Sequence, residues 1–211
     1  MPTRVPRLTL VARAAQPEMP WRNKGGSTRE IAAEPLGARA GDAFAWRVSV
    51  ASVTRDGPFS MFPGVERTMW LLRGVGMELS VDGRNVRLDK PHAEVAFRGE
   101  EAVHARLLDG PTEDLNLMFD RMRVRGDGRI RRLPAGADWN MDVTPNVQVL
   151  LYVIDGSVTA RAPGHEVVAQ TGDALLLDEI ETPCQWQIVP VQASTLLVAR
   201  FSPRTATRHE S

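Results

Sequence analysis

The chain has 211 residues with 26 basic (Lys and Arg) and 26 acidic (Asp and Glu) side chains, so its formal net charge is zero. This balance argues against nucleic acid or an anionic membrane surface as a partner, because both favour a basic excess. No apolar run approaches the roughly 20 residues that a membrane-spanning helix needs. Hydrophobic residues make up 43% of the chain, which is typical of a globular protein with one large or two small domains.

The beginning of the chain and its single cysteine indicate the compartment. Residues 1–11 contain Arg4 and Arg7 but no apolar segment of the kind found in signal peptides, so none is expected. Cys184 is the only cysteine, which excludes an intrachain disulfide and fits a reducing environment. We therefore expect a cytoplasmic protein and interpret Cys184 as a buried or incidental thiol rather than a nucleophile.

Apolar residues alternate, or form short blocks between turn residues, which is typical of strands rather than helices. In residues 44–50 the large apolar side chains fall on every second position, with Arg47 and Ser49 on the other face. Residues 77–88 predict a hairpin around the turn dipeptide Asp82-Gly83. Further short strands are predicted at residues 150–154, 157–161, 167–169 and 174–177. The pattern favours an all-β fold.

A weak internal repeat indicates two β units. Residues 70–74 and 152–156 share the order aromatic, two aliphatics, charge and glycine, and an offset near 82 residues persists through the strands that follow. A constant offset favours duplication, although β-hairpins in general resemble one another at this level. Residues 123–138, rich in arginine and glycine, are predicted as the linker. The expected domains are residues 1–125, with a ligand pocket, and residues 126–211, with a structural role.

The second copy also resembles the cupin family. Residues 152–158 look like the end of the first cupin motif, and residues 172–177 look like the Gly-Asp and strand that open the second. The resemblance implies two tandem cupin-like (RmlC-type jelly-roll) β-barrels in a bicupin arrangement. Metal-dependent cupins place two His and a Glu before the glycine of the first motif, but residues 59–67 and 142–148 contain no histidine. We therefore expect neither a metal site nor a cofactor.

Three segments of the first half resemble the HutD/Ves family. They are residues 19–31, residues 44–51 with 57–64, and residues 114–118 with Arg121. Lys24 departs from the pattern, because the family usually has glycine there, and it could alter a loop or the rim of a pocket. The resemblance implies a cupin-like fold and a link to histidine degradation. Members are thought to bind an intermediate such as urocanate or a formyl or formimino glutamate and to moderate the pathway.

A pocket for such an acid needs a guanidinium for the carboxylate and neutral groups that orient the remainder. The candidate ligand-binding residues in the three segments and beside them are Asn23, Thr28, Arg29, Glu30, Ser60, Arg67, Asp114 and Asn116. Arg67 stands at or beside the cupin carboxylate position, so a fixed cation could replace the ion. Asp114 and Asn116 share one face of a strand, and burying them without partners would cost about 1–3 kcal/mol each.

Alternatives to a binding site remain open for several of these residues. Arg67 could pair with Glu66 or Asp114 at the surface. Arg29 and Glu30 could form an exposed ion pair of little energetic value. Asn23 could simply shape a turn, since Asn tolerates positive φ.

Three functional hypotheses follow. The first is a metal-free protein that binds a small organic acid and moderates histidine utilisation. The second is a metal-free isomerase or hydrolase with Glu30 or Asp114 as general base. The third is an interaction module without a ligand, in which the second barrel packs against another copy or a partner, so that a homodimer would form.

Overall fold

The computed structural model describes residues 6–35, 43–162 and 164–204, which form strands and one short 3-10 helix at Arg13–Ala15. The strands of the first part are β1 (Arg7–Val11), β2 (Glu18–Pro20), β3 (Gly26–Glu34), β4 (Trp46–Val53), β5 (Gly57–Pro58), β6 (Val65–Arg73), β7 (Met77–Val81), β8 (Arg84–Leu88), β9 (Glu94–Arg98), β10 (Val103–Leu107) and β11 (Thr112–Asp120). The remaining strands are β12 (Val124–Leu133), β13 (Trp139–Val143), β14 (Gln148–Asp155), β15 (Ser157–Ala162), β16 (His165–Gln170), β17 (Ala174–Asp178), β18 (Cys184–Pro190) and β19 (Ser194–Pro203).

These strands form four antiparallel sheets. A six-stranded sheet (β2-β3-β4-β11-β6-β9) and a first four-stranded sheet (β5-β10-β7-β8) make up the first half of the molecule. A five-stranded sheet (β1-β17-β14-β19-β12) and a second four-stranded sheet (β13-β18-β15-β16) make up the second half. Strand β1 comes from the start of the chain but pairs with β17, from Arg7 opposite Asp178 to Val11 opposite Ala174.

The all-β prediction is confirmed, whereas closure into two barrels is not. Each of the four sheets is open across the described ranges, with two distinct edge strands. The predicted hairpin is present as β7 and β8, and Asp82 and Gly83 adopt φ values of 46° and 81° at its turn. The same part of the chain contains no helix with the length and apolarity of a membrane span.

The two halves repeat one strand order. The series β4-β11-β6-β9 corresponds to β12-β19-β14-β17, and β5-β10-β7-β8 corresponds to β13-β18-β15-β16. A β-bulge interrupts the pairing of β6 with β11 at Leu72 and that of β14 with β19 at Ile154. The glycines that follow, Gly74 and Gly156, have φ values of 95° and 96°. The residues that carried the sequence repeat therefore occupy equivalent positions in both halves.

The predicted linker at residues 123–138 is wrong for most of its length. Residues Val124–Leu133 form β12, which pairs with β19 over ten consecutive positions. The arginines of this segment are largely exposed because β12 is the edge of the five-stranded sheet, and its glycines lie beneath side chains of the six-stranded sheet. A composition typical of a linker thus belongs here to the edge strand of one sheet, which packs against a second sheet.

Three large apolar clusters fill the spaces between sheets, and a small fourth one contains Phe44, Val65 and Met118. One lies between the two sheets of the first half, with Met69, Leu79 and Phe97 among its members. A second fills the second half around Trp186. The third joins the six-stranded and five-stranded sheets and contains Trp46. The six-stranded sheet is therefore covered on both faces. Its inner face is the one that faces the first four-stranded sheet, and this face is polar at the end near β5 and the loop that follows it.

Candidate functional site

A polar patch lies on the inner face of the six-stranded sheet, where alternate positions of four strands point to the same side. Thr28 on β3, Arg47 and Ser49 on β4, Arg67 on β6, and Asp114 and Asn116 on β11 line one cavity. Adjacent positions of β4, such as Trp46 and Val48, belong instead to the cluster between the two halves. The pleat of the sheet therefore places apolar residues on the outer face and, at this end of the sheet, polar residues on the inner face.

The cavity has a volume of about 840 Å³. Its floor is the polar patch, and its rim combines the loop between β5 and β6 with the segment from β2 to β3. The rim residues are Met19, Pro20, Trp21, Arg22, Asn23, Pro58, Phe59, Ser60, Met61 and Phe62. Ala51 and Met118 complete the wall. A volume in this range suits a small organic molecule.

Arg67 is the central cation of the floor. Its side chain comes from β6 opposite Met118, and the residue is only 7% exposed. Nη2 donates to Asn116 Oδ1 at 2.9 Å and Nη1 donates to the Ser60 carbonyl at 3.3 Å. Burial lowers the pKa of Arg67 to about 10, against the attraction of Asp114, so the guanidinium stays charged at neutral pH.

Aromatic rings surround the guanidinium. The carbon Cζ of Arg67 lies 4.8 Å from the centroid of Phe97, 5.6 Å from that of Phe62 and 5.7 Å from that of Phe59. Such contacts stabilise a cation by about 0.5–2 kcal/mol each and limit its rotation. The predicted alternative of a surface ion pair with Glu66 is wrong, because Glu66 approaches Arg121 and Arg67 is buried.

Asp114 and Asn116 lie beside Arg67 on β11 and are 1% and 5% exposed. Asn116 Nδ2 donates to Asp114 Oδ1, so that Arg67, Asn116 and Asp114 form one hydrogen-bonded row. Burial raises the pKa of Asp114 to about 7, although Arg67 and the Asn116 hydrogen bond act in the opposite direction. The prediction that both residues share one face of a strand is confirmed, and the structure shows that this face is buried.

A second ion pair borders the row. Glu30 Oε2 lies 2.9 Å from Arg47 Nε, without the alignment of a hydrogen bond, and both residues are buried. Burial raises the pKa of Glu30, against the attraction of Arg47. Glu30 does not line the cavity, but its ion-pair partner Arg47 does. With all four groups ionised the floor is neutral, and protonation of Asp114 leaves it with one net positive charge.

The loop before β3 shapes the rim. Trp21 Nε1 donates to Thr28 Oγ1 at 2.8 Å, which fixes the indole across the mouth of the cavity. The backbone N–H of Gly25 donates to Asn23 Oδ1 at 2.9 Å, so Asn23 shapes a turn as well as lining the rim. Lys24 lies in this turn with a φ of 57°, a value that glycine adopts without strain. The family glycine would therefore suit this backbone, and Lys24 costs some stability.

Arg29 is not brought to this cavity. It occupies the opposite face of β3, where Nη1 donates to Gln16 and Nη2 donates to the Tyr152 hydroxyl at 3.3 Å. It lines a smaller cavity of about 240 Å³ between the two halves. The alternative of an exposed pair between Arg29 and Glu30 is also wrong, because Glu30 pairs with Arg47 on the other face.

The sequence-based set and the cavity overlap at six residues: Asn23, Thr28, Ser60, Arg67, Asp114 and Asn116. The set omits Arg47 and Ser49. The alternation in residues 44–50 places them on one face of the strand but does not show whether that face is in the pocket or in water. The set also omits Trp21, Phe59 and Phe62, whose aromatic character fits a core as well as a rim. Knowing that the outer face of β4 packs between the halves decides the orientation of Arg47.

The cavity does not suit a divalent cation. No group of three or more His, Cys, Asp or Glu side chains in residues 6–35, 43–162 and 164–204 is placed to hold a metal ion. The floor carries the guanidinium groups of Arg47 and Arg67, which repel cations and attract carboxylates. The arrangement therefore favours an organic anion over a metal.

A family model described as HutD matches residues 13–196. A relative from Pseudomonas putida, described as an uncharacterized 21.2 kDa protein in the hutC 3′ region, is 34% identical over 166 residues, covering 76% of this chain and 81% of that protein. Protein Ves from Citrobacter koseri is 41% identical over 113 residues, covering 52% of this chain and 56% of Ves. The match to Ves thus spans little more than half of either protein.

Solved structures agree with this relationship. A conserved protein of unknown function, PA5104 from Pseudomonas aeruginosa PAO1, has a TM-score of 0.85 and 30% identity, covering 93% of this chain and 99% of that one. HutD from Pseudomonas fluorescens SBW25, in a formate condition, has a TM-score of 0.78 and 26% identity, covering 94% and 100%. The pirin YhhW from Escherichia coli, in complex with nickel(II), has a TM-score of 0.68 over 94% of this chain and 100% of its own. At 12% identity, the pirin match shows a shared cupin-like fold alone.

Proposed function

The chain belongs to the HutD family, and from that premise we propose that it binds a small organic acid of histidine degradation and moderates the pathway without a metal ion. Candidate acids are urocanate (imidazole-4-acrylate), formiminoglutamate and formylglutamate. The relatives support a link to histidine utilisation, since one is described from the hutC 3′ region and one solved structure is named HutD.

The observation that carries the proposal is the buried guanidinium of Arg67 at the floor of the cavity. Its Nε is buried and has no hydrogen-bond partner among the residues that the structure describes. A carboxylate bound there would gain a charge-assisted hydrogen bond with the guanidinium. The aromatic rim of Trp21, Phe59 and Phe62 suits a planar group attached to the acid.

The finer architecture is also a proposal. Two tandem cupin-like modules, with a ligand site in residues 1–125 and a structural second module, are supported by the repeated strand order. Two facing open sheets are how a jelly roll is built. The second half contains a large apolar cluster around Trp186 in the place where the first half has its polar floor. A cytoplasmic location and a homodimer remain predictions.

The proposal is tested by measuring the binding of urocanate, formiminoglutamate, formylglutamate and formate. Titration calorimetry gives the affinity, and thermal unfolding gives the stabilisation by each acid. At a concentration 100-fold above its Kd, a ligand stabilises the fold by about 2.7 kcal/mol, which raises the Tm by about 5–10 °C for a chain of this size. We expect Arg67→Ala to weaken binding about 10- to 100-fold, because a charged hydrogen-bond donor is lost.

Two further variants make this result specific. Arg67→Lys keeps the charge but loses the fork of donors, so an intermediate affinity is expected. Arg87→Ala removes an exposed arginine of β8 and is the matched control, with unchanged binding. The proposal fails if none of the four acids binds, or if Arg67→Ala binds them as tightly as the unmodified protein.

One observation favours a second function, a metal-free isomerase or hydrolase. Asp114 lies on the cavity floor with a pKa raised to about 7, which is near the optimum for a general base at neutral pH. Turnover of one of the four acids by chelator-treated protein, lost in Asp114→Asn, would support an enzyme. Binding without turnover would support the first function. Glu30 is less suited to the role of general base because its carboxylate forms an ion pair with Arg47.

A further inference from the structure

Three buried atoms of the cavity floor have no hydrogen-bond partner in the described part of the chain, and one of them, Arg47 Nε, is held in the ion pair with Glu30. The other two belong to Arg67 and Asp114. Arg67 Nε is a donor and Asp114 Oδ2 is an acceptor. The other atoms of both side chains are engaged, since Arg67 binds Asn116 and the Ser60 carbonyl, and Asp114 Oδ1 accepts from Asn116. The hydrogen-bonded row thus ends in a free donor on one side and a free acceptor on the other.

These two ends are separated along the sheet. Asp114 pairs with Leu71 of β6, whereas Arg67 lies opposite Met118, four positions further along β11. Asn116 stands between them, and successive residues on one face of a strand are about 6–7 Å apart. A single carboxylate therefore cannot contact both ends. A ligand that satisfies the row carries its acceptor and its donor on different groups, several ångströms apart.

Charge defines the two groups of the ligand. The Arg67 end attracts a carboxylate, and Arg47, which is paired with Glu30, also lies opposite Met118 at this end. The Asp114 end repels a carboxylate and attracts an N–H group, most strongly when Asp114 is ionised. Phe59, Phe62 and Met118 line the same cavity and offer apolar surface to the connection between the two groups.

We propose that the cavity selects acids that also carry an N–H donor several ångströms from the carboxylate, with Arg67 holding the carboxylate and Asp114 accepting from the N–H. This inference rests on the proposed function, because both ends belong to the same cavity. It narrows the ligand class from organic acids in general to acids with a nitrogen donor at the far end. Acids without that donor form a hydrogen bond with Arg67 but leave Asp114 Oδ2 without one.

A matched pair of acids tests the inference. Imidazole-4-acrylate and thiophene-2-acrylate have the same chain length, planarity and carboxylate, but only the first has an N–H. Titration calorimetry at pH 8, where Asp114 is ionised, is expected to show at least 10-fold tighter binding of the imidazole acid. Asp114→Asn is expected to reduce this preference, and Asp114→Leu to bring the two affinities within about threefold of each other.

The outcomes separate this inference from the proposed function. Equal affinities of the unmodified protein for the two acids would overturn the N–H selection while leaving the binding of organic acids intact. A preference that persists in Asp114→Leu would remove Asp114 as the acceptor. If neither acid binds, the N–H selection is overturned, and the proposed function fails as well only if formiminoglutamate, formylglutamate and formate also do not bind. The comparison with unmodified protein needs no variant, so poor folding of Asp114→Leu would not prevent a decision.

Discussion

Asp114 couples the stability of the fold to pH through its burial. Its pKa is raised from 3.8 to about 7, so between these pH values the folded protein holds a proton that the unfolded chain has released. Stability therefore falls as the pH rises from about 4 to 7, and this contribution is constant above that range. Two charged groups act on the pKa of Asp114: Arg67, which opposes the shift, and Glu113 on the other face of β11, which adds to it.

We predict that Asp114→Asn removes this dependence. The free energy of unfolding of the variant, relative to the unmodified protein, should increase steadily from pH 4 to pH 7, by at most about 4 kcal/mol. Urea unfolding at four pH values in this range measures the difference. Asp127→Asn changes an exposed aspartate of β12 and is the matched control. A difference that stays constant with pH would contradict the burial of a protonated Asp114.

The sequence predicts single site residues well where strand parity applies. Asp114 and Asn116 are two apart and share the cavity, as their spacing predicts. Thr28 and Arg29 are adjacent, so one strand cannot present both to one cavity, and the structure places Arg29 on the other face. Parity alone does not say which face is inside. That depends on how the sheets stack, which is set by contacts far apart in sequence.

Strand β12 shows why an element can be missed. Its arginines and two glycines suggest a linker, yet the segment alternates in burial and pairs along its full length with β19. The glycines are required by the neighbouring sheet, because a Cβ at Gly126 would lie 2.6 Å from Cδ1 of Phe119. The apolar strands β14 and β17, in contrast, are clear in the sequence since both faces are covered.

Gly126→Ala tests this packing. The added methyl group would displace the Phe119 ring, and we expect a loss of about 1–3 kcal/mol in the free energy of unfolding. Gly57→Ala is the matched control, because no atom lies within 4 Å of the added carbon and a small gain or no change is expected. Denaturant unfolding of both variants measures the change in the free energy of unfolding. Equal stabilities would show that the two sheets are not in close contact at this point.

The two halves of the molecule are joined by an apolar interface rather than by a flexible connection. Trp46 of β4 stacks on Phe201 of β19 with ring centroids 4.4 Å apart, and its Nε1 donates to Gln148 at 2.7 Å. Arg29 adds a polar tie to Tyr152 across the same interface. The sequence repeat predicts two similar halves, but it does not predict which faces meet. The cavity floor depends on this interface, since β4 presents Trp46 to it and Arg47 to the cavity.

We therefore predict that the chain unfolds in a single transition, and that Phe201→Ala lowers the stability of both halves together. Loss of a buried phenylalanine costs about 3–5 kcal/mol, which lowers the Tm by roughly 6–20 °C for a chain of this size. Differential scanning calorimetry should show one peak before and after the change, at a lower temperature in the variant. Val168→Ala, at a half-exposed position of β16, is the control with little effect. Two separate peaks, of which only one moves, would mean that the halves fold independently and that the interface does not support the cavity.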